Sequence, residues 1–197
     1  MNADKRKKLS REAYVIRKKL LETIQNAGSG HIGGSMSIAE ILSVLYFEEM
    51  KINPENPDMQ DRDRLVLSKG HCSPALYATL ALKGFFSIEH LSSFRNMESD
   101  LSGHVEIHVP GVDMSSGSLG QGLSVGLGMA LFAKNKGYKN RAFVILGDGE
   151  IQEGQIWEAA MAAGYFKADN LIALVDNNKI QLDGWLKEVM SPSPIGE

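Results

Sequence analysis

At 197 residues the chain is long enough for one domain with a hydrophobic core. Hydrophobic residues at 43% and charged residues at 23% are ordinary for a soluble globular protein, and a net charge of -3 argues against a strongly basic nucleic-acid binder. Its one cysteine, Cys72, excludes an internal disulfide framework, fits a reducing cytoplasm and reads as a small buried residue; no apolar run reaches the ~18 residues of a membrane span, and the charged N-terminus has no signal-peptide core.

In chain order, residues 1–9 carry Lys5, Arg6, Lys7 and Lys8 and read as a solvated basic arm. A helix is expected over 10–26, with Ala13, Ile16, Leu20, Ile24 and Ala27 on its apolar face and Gly28 as its stop. A polar loop, 28–35, holds His31 among glycines. The next helix is expected to begin at Ser37, with Glu40 completing a capping box. The segment 53–64, with two prolines and six charges, reads as surface loop. Leu65-Val66-Leu67 is a candidate strand, followed by Gly70-His71 and a helix over 73–82. Ser87 is expected to cap a short helix ending near Asn96. Residues 97–120 read as a long irregular segment, and such segments in compact domains are usually functional. It leads into a small-residue helix, 123–134, in which Gly122, Gly126 and Gly128 permit close packing. The tail, 191–197, has no pattern of a packed element.

The stretch 147–184 organises the rest. Gly147-Asp148-Gly149 follows the apolar run 142–146, and Asn177-Asn178 follows the apolar run 171–175, with a helix expected over 155–166 between them. Strand, helix, strand reads as a right-handed crossover between parallel strands, with both polar clusters at their carboxyl ends. The fold class is therefore α/β, a parallel sheet flanked by helices, with too few visible strands for a complete sheet.

Asp148 and Asn178 can each offer one oxygen to Mg²⁺, and a backbone carbonyl near Ile180 a third; diphosphate oxygens and water would complete the octahedron. Alternatively, the two clusters are strand-end turns, although their pairing favours a site. Glu150, Glu153 and Glu158 either complement the helix dipole or, for Glu153 and Glu158, meet a subunit interface. His31, His71 and His104 all lie beside glycines, before helices or in loops, and together suggest a polar site for a hydroxylated or phosphorylated substrate. His90 reads as structural, and His108 is undecided. The 117–122 loop resembles an anion cradle but matches neither the Walker nor the Rossmann spacing.

Five blocks in order carry a family resemblance: SGHIGGSMS (29–37), LSKGHCSPALYA (67–78), GHVEIHVPGVDMSSGSLGQGLSVGLGMA (103–130), GDGEIQEGQIWEAA (147–160) and VDNNKIQLDGW (175–185). Over about 10–190 the sequence resembles the amino-terminal, diphosphate-binding domain of transketolase, a thiamine-diphosphate enzyme. The resemblance implies thiamine diphosphate and Mg²⁺ as cofactors, with Asp148, Asn178 and the Ile180 carbonyl as metal ligands. It places His71, Gly117, Gly147, Gly149 and Glu150 along the diphosphate and Leu119 against the cofactor. It sets His31 and His104, as catalytic residues, toward the donor and acceptor sugars. The implied reaction moves a two-carbon ketol unit between sugar phosphates, as in the pentose phosphate pathway.

The glutamate that activates the aminopyrimidine belongs to the family's second domain, so the implied partner is a separate C-terminal, pyrimidine-binding subunit, in a homodimer or heterotetramer. Neither nucleic acid nor membrane is an expected partner. Two departures accompany the resemblance. Ser118 stands where many members have proline, and the match stops near Met190, which suggests a truncated chain. The alternatives are a truncated, non-catalytic domain of this fold or a 1-deoxyxylulose-5-phosphate synthase-like enzyme. The latter ranks lower because Gln152-Glu153-Gly154 and Gly120-Gln121-Gly122 both fit transketolase.

Overall fold

A computed structural model describes residues 2–182 and 184–192. Asp183 and the end of the expected tail, 193–197, lie outside the described residues. The chain forms two compact units, Met1–Asp63 with Gly70–Ser115 and Arg64–Lys69 with Ser116–Glu197.

The first unit is helical. Helix α1 (Ala3–Ala27) buries Ala13, Ile16, Leu20 and Ile24 of the expected face and also Leu9, leaves Ala27 half-buried, and ends at Gly28 in the left-handed conformation, φ 64°. It begins earlier than its apolar pattern indicates. Asn2 caps it by accepting the Lys5 N–H at 2.9 Å, and Lys5 pairs with Glu48, so the basic residues read as an arm lie on its first turns. Helices α2 (Ile32–Ser37) and α3 (Ala39–Val44) follow.

The helix expected to begin at Ser37 does not start there: Ser37 ends α2, its hydroxyl donating to the Gly34 carbonyl at 3.1 Å, and α3 opens after Ile38. Glu40 receives both Arg17 guanidinium nitrogens, at 2.6 and 2.5 Å. Helix α4 (Ser73–Lys83) is buried along most of its length, and α1 packs against both α3 and α4.

The 53–64 segment is less exposed than its composition suggests. Arg62 forks onto Asp113 at 2.7 and 3.1 Å, with the two side chains 5% and 3% exposed. Paired in this way, the guanidinium can be buried where an isolated charge could not.

The second unit holds a parallel sheet in the order β1 (Arg64–Leu67), β2 (Ala142–Gly147), β3 (Leu171–Asp176). The register sets Leu67 beside Ile145 and Gly147 beside Asp176. Strands β1 and β2 are buried almost throughout, as continuous apolar runs in parallel sheets are. Strand β3 is an edge and is half-exposed.

Helix α5 (Gly122–Asn135) packs on all three strands. Its Gly126 lies against Val144 and within 3.4 Å of Leu171 Cδ1, measured from where a Cβ would stand. Gly128 faces open space, so the close packing expected of it belongs to Gly122 and Gly126 alone. Helix α6 (Gly154–Tyr165) packs on α5. Beyond β3 a short antiparallel pair, β4 (Ile180–Gln181) and β5 (Gly184–Trp185), leads to helix α7 (Leu186–Val189). Among the described residues, no helix is long and apolar enough to cross a membrane.

Candidate functional site

Three parallel strands end in polar residues. Ser68 and Lys69 follow β1, Asp148 follows Gly147 at the end of β2, and Asp176 closes β3. Asp148 is buried at 2% exposure; its Oδ1 accepts the Gly149 N–H at 2.9 Å and its Oδ2 the Lys179 N–H at 2.6 Å. The second of these bonds draws the 177–180 turn onto Asp148. Asn178 Oδ1 accepts the Ile180 N–H at 2.9 Å. Ile180 opens β4 and is half-exposed. The structure therefore brings Asp148, Asn178 and Ile180 into one strand-end cluster.

The donor set fits a hard cation. A carboxylate or amide oxygen has two lone pairs, so accepting one neutral N–H does not exhaust its capacity to coordinate. In formal charge, the buried Asp148, Glu150 and Asp176 outnumber the buried Lys69 by two. Gly149 is the close approach in this cluster, since a Cβ there would lie 3.0 Å from Gln181 Cδ.

Glu150 has an internal task. Its carboxylate accepts the Ser68 hydroxyl, the Gly120 N–H at 2.9 Å and the Gly147 N–H at 2.9 Å, and it is 2% exposed. The Ser68 oxygen in turn accepts the Gly122 N–H at 3.1 Å, and Ser116 donates to the Leu67 carbonyl at 2.6 Å. The loop that carries Gly117 and Leu119 is thereby tied at both ends to the strand termini. Gly117 is exposed and Leu119 is 39% exposed. Gly120, at φ 85°, adopts a backbone conformation that a side chain would strain.

Ser68, Lys69 and Asp176 were not singled out from sequence. Their signal was available, since all three lie within two residues of the end of an apolar strand run, as Asp148 does. Glu153 takes the N-cap position of α6 without a side-chain capping bond, and both it and Glu158 are exposed.

In the first unit the three glycine-flanked histidines converge. The His31 ring lies 5.1 Å from that of His71 and 6.3 Å from that of His104. His31 precedes α2, and His71 sits on the one-turn helix before α4. The His104 carbonyl accepts the Tyr77 hydroxyl at 2.9 Å and the Ser102 hydroxyl at 2.6 Å. Burial pushes the Tyr77 phenol well above its ordinary value, which keeps it a donor. His90 pairs with Asp100 at 2.5 Å, a structural arrangement, and His108 is exposed. Cys72 is fully buried.

Burial, then the positive charges of His104 and Arg95, hold the His31 pKa below its usual 6.5. The neutral imidazole therefore persists to lower pH than in a free side chain. The unfolded chain takes up this proton first, so the linked stability is lost as pH falls below ~6.5. Proton NMR of the ring should show His31 titrating below 6.5, and His104→Ala should move it upward. A midpoint at or above 6.5 in the unaltered chain would contradict this assignment.

Fold and cluster together define an α/β domain with a glycine-rich polar site at the carboxyl ends of parallel strands. Residues 9–193 match the family model described as transketolase, thiamine diphosphate binding domain. The chain is 52% identical to the 6-deoxy-6-sulfo-D-fructose transketolase subunit of Clostridium sp. (strain MSTE9), covering 95% of this chain and 68% of that protein. It is 49% identical to an apulose-4-phosphate transketolase subunit of Phocaeicola vulgatus, covering 89% and 62%. The crystal structure of transketolase from Campylobacter jejuni superposes with a TM-score of 0.90 at 37% identity, covering 98% of this chain and 31% of that one. The chain thus belongs to the transketolase family and carries its thiamine diphosphate binding domain. It spans about two thirds of the subunit relatives and under a third of the Campylobacter transketolase.

Proposed function

We propose that the chain is the N-terminal subunit of a two-chain transketolase, holding thiamine diphosphate through Mg²⁺ and moving a two-carbon ketol unit from a ketose to an aldose together with a separate pyrimidine-binding chain. The observation that carries this reading is the buried Asp148 carboxylate, joined through the Lys179 N–H to the turn bearing Asn178. Asp148, Asn178 and the Ile180 carbonyl hold the metal, and Gly147, Gly149 and the loop of Gly117 and Leu119 line the cofactor. His71 serves the diphosphate in this reading. Bound thiamine diphosphate supplies the carbanion chemistry that breaks and forms the carbon–carbon bond. His31 and His104 bind sugar hydroxyls and move their protons, and the His31 imidazole stays neutral to lower pH than a free side chain.

A second chain also accounts for the surface of α6. Trp157, Met161 and Tyr165 recur every four residues, and with Phe166 they are 53%, 70%, 82% and 54% exposed. A contiguous exposed apolar stripe of this kind is characteristic of an interface. Two relatives bear the name of transketolase subunits and act, by those names, on a sulfonated ketose and a ketose phosphate. The substrate class proposed is a ketose with an anionic terminal group.

The chain should be combined with a pyrimidine-binding transketolase subunit, thiamine diphosphate and Mg²⁺, then offered xylulose 5-phosphate, 6-deoxy-6-sulfofructose and apulose 4-phosphate with an aldose phosphate acceptor. Ketol transfer from at least one donor is expected, dependent on both chains. Folded components that transfer nothing from any donor would defeat the enzymatic reading.

A further inference from the structure

The ends of β1 and β3 carry a buried ion pair that the proposed chemistry does not use directly. Lys69 Nζ lies 2.6 Å from Asp176 Oδ2, with the side chains 3% and 7% exposed. The same Oδ2 accepts from Asn178 Nδ2 at 3.0 Å. The opposite end of the Asn178 amide, Oδ1, accepts the Ile180 N–H. An ionised carboxylate only accepts and a backbone N–H only donates, so both partners enforce one orientation of the amide. Flipping it would set donor against donor at Ile180 and acceptor against acceptor at Asp176. Stability alone gives no reason for the pair, since a buried ion pair is often replaceable by apolar residues of similar volume without loss.

We infer that Lys69 and Asp176 are positioning residues for Asn178: Asp176 locks the amide so that its oxygen, not its nitrogen, is presented to a cation, and Lys69 holds the Asp176 carboxylate in place. This rests on the reading of Asp148 and Asn178 as metal ligands. Partners that orient a ligand from behind typically change metal affinity by ~10–100-fold when removed.

The test uses the full chain, unaltered and with Lys69→Met and Asp176→Leu together, which removes both charges and leaves neither unpaired. Without metal, the Asn178 side-chain amide should give a slowly exchanging ¹H–¹⁵N signal in the unaltered chain and lose that protection in the neutral pair. Titrated with Mn²⁺ in the presence of thiamine diphosphate, the neutral pair should bind about tenfold more weakly, while its thermal midpoint stays at or above that of the unaltered chain. Adding Asn178→Ala to the neutral pair should weaken Mn²⁺ binding no further than Asn178→Ala alone, because residues acting through one another are not additive.

Mn²⁺ binding by the neutral pair within twofold of the unaltered chain, alongside a clear loss in Asn178→Ala, would overturn the inference and leave the metal site standing. Full additivity of the losses would also overturn it. If the unaltered chain shows the protected amide yet binds no Mn²⁺ with thiamine diphosphate, the metal reading falls and the inference with it. Should the neutral pair fail to fold, Asp176→Asn takes its place: a several-fold loss of Mn²⁺ affinity supports the inference, and unchanged affinity sinks it.

Discussion

Asp148→Asn is expected to weaken Mg²⁺-dependent binding of thiamine diphosphate by more than ~100-fold, beyond the usual effect of altering a ligand's supporting partner. The replacement is nearly isosteric, so loss of charge dominates. Asp148 is 2% exposed and both its oxygens already accept backbone N–H groups. An asparagine can accept at only one of these and must turn its amide nitrogen toward the other N–H, a repulsive contact in a buried site. The removed charge also lowers the excess of formal negative charge at the strand ends from two to one, weakening the attraction for a divalent cation. Asn178→Ala should act in the same direction but less strongly, since it removes a neutral ligand and leaves the carboxylate. Calorimetric titration of thiamine diphosphate at several Mg²⁺ concentrations measures both effects. Unchanged affinity in Asp148→Asn would remove that residue from the site.

The strand ends were legible in sequence because the physics there is local. An apolar run of five residues that ends in polar residues reads as a strand meeting its carboxyl end: 142–146 is followed by Gly147-Asp148 and 171–175 by Asp176-Asn177-Asn178. Parallel pairing followed from the helix between them, and the register confirms it.

What was not legible depends on partners far apart in the chain. Lys69 finds Asp176 across 107 residues and Arg62 finds Asp113 across 51. Nothing local in a run of charges such as 58–64 shows that one guanidinium will be buried. The pairing of Glu40 with Arg17 on α1, 23 residues away in sequence, is of the same kind. The start of α1 was missed because a helix needs only turns and a cap there, and the lysines that suggested solvent are good helix formers.

Glu150 shows how a motif can name a residue without giving its role. As the fourth member of Gly-Asp-Gly-Glu it is placed along the diphosphate by resemblance, and the structure adds that its carboxylate is bonded inward to Ser68, Gly120 and Gly147. Replacing it with alanine should therefore cost about 3–5 kcal/mol, the range for breaking a buried charged network. Three buried donors would lose their acceptor, at ~1–3 kcal/mol each, partly offset by the recovered cost of burying a carboxylate. For a chain of this length the thermal midpoint should fall by roughly 10 °C. Glu150→Gln should fall between the two, because one oxygen can still accept from Ser68 and Gly120 while the new amide nitrogen faces the Gly147 N–H. The loop of Gly117 and Leu119 should loosen in both variants, so brief proteolysis should cut within 116–122 in either before cutting the unaltered chain. Equal thermal midpoints for all three proteins would mean that the carboxylate is not a strut.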